Sequence, residues 1–467
     1  MATLNFNASV SGQKKYQALA FSILLILCGI TLFQGITIPF NEPLADALGY
    51  VRVASEIIEN HTLTNFGMSA EAGRFFPPLY PAFVSLPGFF DDAYRQTLDC
   101  YNHKNVSICK PDALQFLGIM QAFLISLLLV AVYRITKIIV GETSIAILAT
   151  ILFKFGSKID NYMHESLTEV LQFTLFSFVI LGILMLLTKR GISLFYSVFI
   201  GVFFGALVLT RGSYLYLAYV LLPLVFLIKS RLENLSLAEV LRLAIFISGS
   251  MLAILSIWML RNILIFGDPA ISSGYAPFIF IQRLAYNDMQ FSEWLASFVF
   301  WFPDIGDNIA RQYLPYESYV RLGWEAEETF YQAGQRDREN LFSTGAEHVS
   351  MKPLLLDRLL PDLFWHCMVT IPLSFRGMFA GGYLSVFGLI SSYWALIYLH
   401  KINRLWLFGL LMFILFFMLG FHGFFTVSIV RYNELLALFY AICFAIPLQN
   451  IWRKIHRRFL FNMMEKR

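Results

Sequence analysis

Residues 39–81 read PFNEPLADALGYVRVASEIIENHTLTNFGMSAEAGRFFPPLYP, directly after an apolar run from Tyr16 to Ile38. Asn41 and Pro43 are helix-start residues. Leu48, Val51, Ala54 and Ile58 then recur at helical spacing, with Arg52, Glu56 and Glu59 among them. The pattern predicts a helix along a membrane surface, with Asp46 near its positive N-terminal end. Asp46 and Tyr50 are one turn apart and share a face. Arg74 and the Pro77-Pro78-Leu79-Tyr80-Pro81 run then return the chain toward the membrane. A carboxylate, a phenol and a guanidinium held at an interface make a candidate polar site; the plainer reading is a structured loop with ordinary surface charges.

The rest of the chain decides what kind of interface this is. Of 467 residues, 58% are hydrophobic and only 14% charged, with mean hydropathy +0.64; soluble domains carry about 25% charged residues. Apolar runs near span length recur throughout, which makes the chain an all-α polytopic membrane protein. The run from Tyr16 to Ile38 is too long, and lacks the small-residue cleavage site, for a removable signal peptide, and reads as the first span. Spans are predicted near 16–38, 113–133, 144–157, 167–188, 192–209, 213–228, 243–260, 380–399, 405–421 and 433–451, about ten in all. Basic residues crowd the connectors and tails on one side: Lys14, Lys15, Arg134, Lys137, Lys189, Arg190, Lys229, Arg231, Lys401, Arg404, Arg453 and others, against Glu142, Glu233, Glu239 and Glu465. The positive-inside rule puts that side, with both termini, in the cytoplasm.

Two long loops, 39–112 and 261–379, then face outward. They divide the chain into a membrane module over 1–260, a second outer loop with interfacial helices over 261–379, and C-terminal spans with a basic tail over 380–467. The most polar part, 304–350, is expected to be a small extracytoplasmic helical segment, and Lys352 to Ile371 an interfacial helix. Cys100 and Cys109 lie in the first loop, where an oxidising compartment would permit a disulfide; the other reading is two free thiols. Asn60-His61-Thr62 and Asn105-Val106-Ser107 match the glycosylation acceptor pattern, which is common by chance.

Further polar residues fall at the outer ends of spans. Lys158-Ile159-Asp160-Asn161-Tyr162-Met163-His164-Glu165 precedes Thr168 and Glu169 at the head of the fourth span. Charges at a span entrance are costly unless solvated or paired, which makes them functional candidates. Glu165 and Glu169 share a helical face; His164 is a candidate ligand or base, although a lone interfacial histidine is more often simply solvated. Arg211 sits between the fifth and sixth spans, either as a functional cation or snorkelling to headgroups. Arg283 lies in Phe280-Ile281-Gln282-Arg283-Leu284, and Arg431 in Val430-Arg431-Tyr432-Asn433-Glu434. Carboxylates beside cations suit deprotonation of a hydroxyl and departure of an anionic leaving group, and arginines at membrane level suit a lipid phosphate. No glycine-rich nucleotide loop or zinc-ligand spacing occurs, and no nucleic-acid partner is expected.

Taken in order, these residues resemble the GT-C class of polytopic glycosyltransferases, which use polyprenyl-phosphate sugars, and above all the protein O-mannosyltransferases and lipid A aminoarabinose transferases. Asp46-Ala47-Leu48-Gly49-Tyr50 looks like the acidic residue and spaced tyrosine of their first outer loop, although Ala47 stands where a second acidic or polar residue is common. Leu167-Thr168-Glu169 is similar to their second acidic position. Arg261-Asn262 with Phe266-Gly267 resembles the end of their seventh span. Ile281-Gln282-Arg283-Leu284 resembles a motif that contacts the lipid phosphate, and Arg431-Tyr432 the pair that opens their last spans.

The resemblance implies inverting transfer of a sugar from a polyprenyl-phosphate donor to a hydroxyl of a lipid, glycan or protein on the outer, periplasmic or luminal, face. Asp46 would be general base and Glu169 its acidic companion. Arg283 and Arg431 would lead donor-phosphate binding, with Arg74, Lys158 and Arg211 behind them and Tyr50, His164 and Glu165 nearby. No cofactor is required, although Asp46 and Glu169 could share a divalent metal, as paired acids do in the oligosaccharyl branch. The competing class is a transporter or lipid-linked-sugar flippase, but such proteins usually place charge at the bilayer midplane within a repeat, and no repeat is visible here.

Overall fold

The computed structural model describes residues 10–61, 76–103, 108–272, 275–343 and 351–465. Arg74 and the Asn105-Val106-Ser107 pattern lie outside them. Every regular element among the described residues is helical. Among the described residues, eight helices are long and apolar enough to cross a bilayer. Two shorter apolar helices, Thr143–Gly156 and Leu194–Thr210, stand where the sequence predicts the third and fifth spans. The third has 14 residues, only about 21 Å at ~1.5 Å per residue; beyond its C-terminal end comes a 3₁₀ turn over Ile159–His164.

The fourth span, Glu169–Thr188, is the hub, with 83% of its apolar window buried inside the protein. It is apolar on all sides, as a helix surrounded by other helices should be. Neighbouring spans approach closely where small residues allow it. A Cβ on Gly201 of the fifth span would stand 2.2 Å from the Ile247 carbonyl oxygen of the seventh span (Leu237–Phe266), and one on Gly205 3.0 Å from that of Met251. This is small-residue spacing used for helix contact in a membrane. At the opposite end of the spans from Asp46, Lys229 is fully buried and donates to the carbonyls of Leu186 (2.9 Å) and Lys189 (2.6 Å). It caps the last carbonyls of the fourth span, where a helix end favours a cation, and pairs with Glu233 at 3.0 Å.

The first long loop is a layer of helices packed on one another. Asp46–Asn60 buries Val51 and Ala54 completely and packs against Leu79–Ser85 and Asp92–His103. Cys100 and Cys109 form a disulfide, with Cα atoms 5.8 Å apart, that ties this layer to the approach of the second span, Gln115–Val140.

The second outer loop folds into short helices around its own apolar cluster, which includes Tyr286, Trp301, Leu322 and Phe330. The expected interfacial helix from Lys352 to Ile371 divides in two. An irregular helical stretch runs over 351–362, with a π-helix over Leu354–Leu359 and a 3₁₀ turn over Leu360–Asp362, and a helix, Leu363–Met378, then packs against the ninth span, Leu405–Phe425. Pro353 and Pro361 lie in the irregular stretch, where each removes a backbone donor.

Candidate active site

Three separated segments deliver charged side chains to one place. Asp46 is the first residue of its helix, preceded by Ala45 at φ 49°, ψ −120°. Glu169 opens the fourth span; the chain leading to it is held by Gln121, whose amide donates to the carbonyls of Met163 (3.2 Å) and Glu165 (2.9 Å). Arg431 sits in the Val430–Asn433 turn between the ninth span and the tenth, Leu436–Glu465.

Arg431 Nη2 donates to Asp46 Oδ2 at 3.0 Å, and its Nε lies 3.4 Å from Glu169 Oε1. The second contact is close enough for ion pairing but not aligned for a hydrogen bond, since Arg431 Nε makes none. Burial opposes the charge on Arg431, but Glu169, Tyr432 and Asp46 more than offset it and hold its pKa above the ordinary arginine value. The two acids differ in access: the Glu169 side chain is 2% exposed and that of Asp46 43%. Glu169 Oε2 is buried without a hydrogen-bond partner, an acceptor left for something that enters the site.

A second guanidinium completes the arrangement. Arg211 lies over the Tyr432 ring, 3.9 Å from its centroid, and donates to Gln172 Oε1 at 3.0 Å; the Gln172 amide in turn donates to the Tyr214 hydroxyl at 2.8 Å. The Arg431 guanidinium is 5.4 Å from the same ring. Asp46, Tyr50, Glu169, Arg211, Arg431 and Tyr432 all line one cavity of about 700 Å³. From this charged end the cavity runs along an apolar arm formed by Tyr216 and Tyr219 of the sixth span (Tyr214–Glu233), Leu252, Leu255 and Met259 of the seventh, and Phe421 and Phe425 of the ninth.

The other expected residues lie elsewhere. Arg283 was expected to lead donor-phosphate binding, yet it is fully buried outside the lining. Its guanidinium donates to Gly423 O (2.8 Å), Asn287 Oδ1 (3.0 Å), His366 O (3.1 Å) and Thr370 Oγ1 (3.2 Å). The physical reason is the apolar Phe280-Ile281 flank, which buries the helix and leaves the arginine to satisfy carbonyls. Lys158 is exposed and contributes its backbone N–H, which donates to Glu434. His164 is buried with neither ring nitrogen hydrogen-bonded, and burial lowers its pKa. Glu165 is half-buried and raised by burial and by Glu169. Neither of these two side chains lines the cavity.

Sequence reasoning passed over Gln172, Tyr432 as an arginine platform, and His422, which lines the cavity and pairs through Nδ1 with Asn433 Oδ1 at 3.0 Å. A polar residue inside an otherwise apolar span was the available signal for Gln172 and His422. Glu434 was also missed. It is 1% exposed, its Oε2 is unpartnered, and burial raises its pKa to about 8.

No protein-family model and no curated protein matches the chain. Comparison with solved structures gives it a fold seen in an archaeal polytopic oligosaccharyltransferase. In particular, it is similar to the apo oligosaccharyltransferase of Archaeoglobus fulgidus, with TM-score 0.52 and 14% identity over 94% of this chain and 52% of that one. The same archaeal enzyme, AglB, in complex with an inhibitory peptide and a dolichol-phosphate gives TM-score 0.52 and 14% identity over 96% and 52%. The chain therefore spans about half the length of these enzymes. ArnT from Cupriavidus metallidurans bound to undecaprenyl phosphate aligns over 93% of this chain and 77% of its own, at TM-score 0.35 and 12% identity.

Proposed function

We propose that the protein is a glycosyltransferase that moves a sugar from a polyprenyl-phosphate carrier to an acceptor hydroxyl at the outer membrane surface. The observation that carries this reading is the two-ended cavity. Its charged end sets two carboxylates against two guanidiniums, and its apolar arm runs at span level between the sixth, seventh and ninth spans. A lipid phosphate suits both ends at once: prenyl chain in the arm, phosphate against Arg211 and Arg431. The fold shared with an enzyme solved in complex with a dolichol-phosphate supports the same donor class. The Cys100–Cys109 disulfide lies on the cavity side of the spans, and the basic connectors on the other, which supports an extracytoplasmic site.

In this reading Asp46, the more open acid, takes the proton of the acceptor hydroxyl as that oxygen bonds to the anomeric carbon. The bond from that carbon to the phosphate oxygen breaks, and the polyprenyl phosphate leaves with the electron pair, its charge met by Arg431 and Arg211. Glu169 Oε2 accepts a hydrogen bond from a substrate hydroxyl. Asp46→Asn is expected to lower turnover about 10²–10⁴-fold while the protein elutes and melts like the parent. The assay is release of labelled sugar from a panel of polyprenyl-phosphate sugars by protein purified in detergent. A variant that turns over at the parental rate would overturn the assignment.

A further inference from the structure

Two acids facing each other at a phosphate-handling site invite a divalent ion, and Asp46 and Glu169 are the pair that could hold one. The space between them is already taken. The Arg431 guanidinium reaches Asp46 Oδ2 with one nitrogen, at 3.0 Å, and Glu169 Oε1 with another, at 3.4 Å. A metal ion bound to both oxygens would need each within about 2.0–2.6 Å of itself, nearer to both than the guanidinium nitrogens already beside them. The one set of three metal-type side chains with ligand atoms all within 4.8 Å among the described residues is elsewhere: Glu59, Asp99 and His103 in the first outer loop. With Arg431 in place, Asp46 Oδ2 and Glu169 Oε1 do not fit a shared metal.

The position of Arg431 is also built in. It sits in a short turn between two spans, and Ser428, three residues before it, is held at φ 44°.

We propose that Arg431 is the resident cation of this site. It does the charge work that a divalent ion would do between Asp46 and Glu169, and its side chain keeps such an ion out. A latent metal site follows: removing the guanidinium leaves two carboxylates, one buried, facing an opening. The inference rests on the glycosyltransferase reading only for what that charge does in catalysis; the exclusion of metal stands on the geometry alone.

The test is a Mn²⁺ titration followed by electron paramagnetic resonance, with no donor or acceptor present, on the parent, Arg431→Ala, and Arg431→Ala combined with Glu169→Gln. The parent is expected to bind no Mn²⁺ that Asp46→Asn removes. Arg431→Ala is expected to gain a site of about one Mn²⁺ per chain, about tenfold or more tighter than any in the parent, and the added Glu169→Gln to abolish it. Two results would overturn the proposal: Mn²⁺ binding by the parent that Asp46→Asn removes, or folded Arg431→Ala that gains no site. The parental titration needs no variant at position 431, so it decides even if Arg431→Ala does not fold. Because no turnover is measured, a missing transferase activity and a missing metal site give different results.

Discussion

Arg431 and Arg283 look alike in the sequence: each is a single cation in a short motif between spans, and each resembles a phosphate-binding position. The structure puts them to different uses. Arg283 spends its donors on two backbone carbonyls, an asparagine and a threonine, joining its helix to Leu363–Met378 and to the ninth span. Arg376 nearby does similar work, stacked 4.5 Å from both Trp301 and Trp324 and donating to the Val427 carbonyl. Arg431 instead faces two carboxylates at the rim of a cavity, beside an unpartnered carboxylate oxygen. The two arginines therefore differ in their partners: neutral acceptors hold Arg283 in place, whereas the carboxylates beside Arg431 line a cavity.

The largest effect expected from this contrast is on folding, not activity. Arg283→Ala removes four hydrogen bonds from a charged donor, two of them to the buried carbonyls of Gly423 and His366. At about 1.5–3 kcal/mol for each hydrogen bond to a charged group, even two of them are worth about 3–6 kcal/mol. The variant should be poorly recovered from membranes, or melt far below the parent in detergent. A variant that is stable but has lost only donor affinity would place Arg283 in the binding machinery and break the comparison.

The contrast also shows which parts of the molecule the sequence could reveal. Spans are local and additive: a run such as Glu169–Thr188 declares itself by composition, and the third span lies within a residue of its expected limits, 144–157 against Thr143–Gly156. Asp46, Glu169 and Arg431 could be suspected because each heads a segment at the same end of the spans. Their direct contact could not, since Asp46 and Arg431 lie 385 positions apart. The role of Arg283 depends on partners at 366, 370 and 423, which no local pattern around Ile281-Gln282-Arg283 discloses. Gln172 left a readable trace, a lone amide in an apolar span, but its purpose depends on Arg211 arriving from another loop.

A smaller effect concerns the joint between the Arg431 turn and the loop that leads to Glu169. Glu434 accepts from the Lys158 N–H and so ties the turn carrying Arg431 to the loop that leads to Glu169. Burial raises its pKa from about 4.5 to about 8. The folded state then binds a proton that the unfolded chain has released, so this group's contribution is full below pH 4.5 and is lost as pH rises toward 8. Glu434→Gln keeps an acceptor for the N–H without the titration. The parent's stability is expected to fall relative to the variant's across that window; parallel pH–stability curves would show that Glu434 is ionised in the folded protein.

The smallest effect lies in the backbone beside Asp46. Ala45 at φ 49°, ψ −120° occupies the first central position of a type II′ geometry, which favours glycine and strains a residue with a Cβ. Together with Ser428 at φ 44°, it places strained backbone next to both ends of the Asp46–Arg431 pair. Ala45→Gly removes the steric cost, and a gain of about 1 kcal/mol is the scale of such a relief. The same change loosens the link that aims the carboxylate. Thermal midpoint and turnover should therefore part company: the midpoint rises slightly while kcat falls by a small factor. If the variant is both more stable and equally active, Ala45 bears strain that catalysis does not use, and Arg431 alone suffices to orient Asp46.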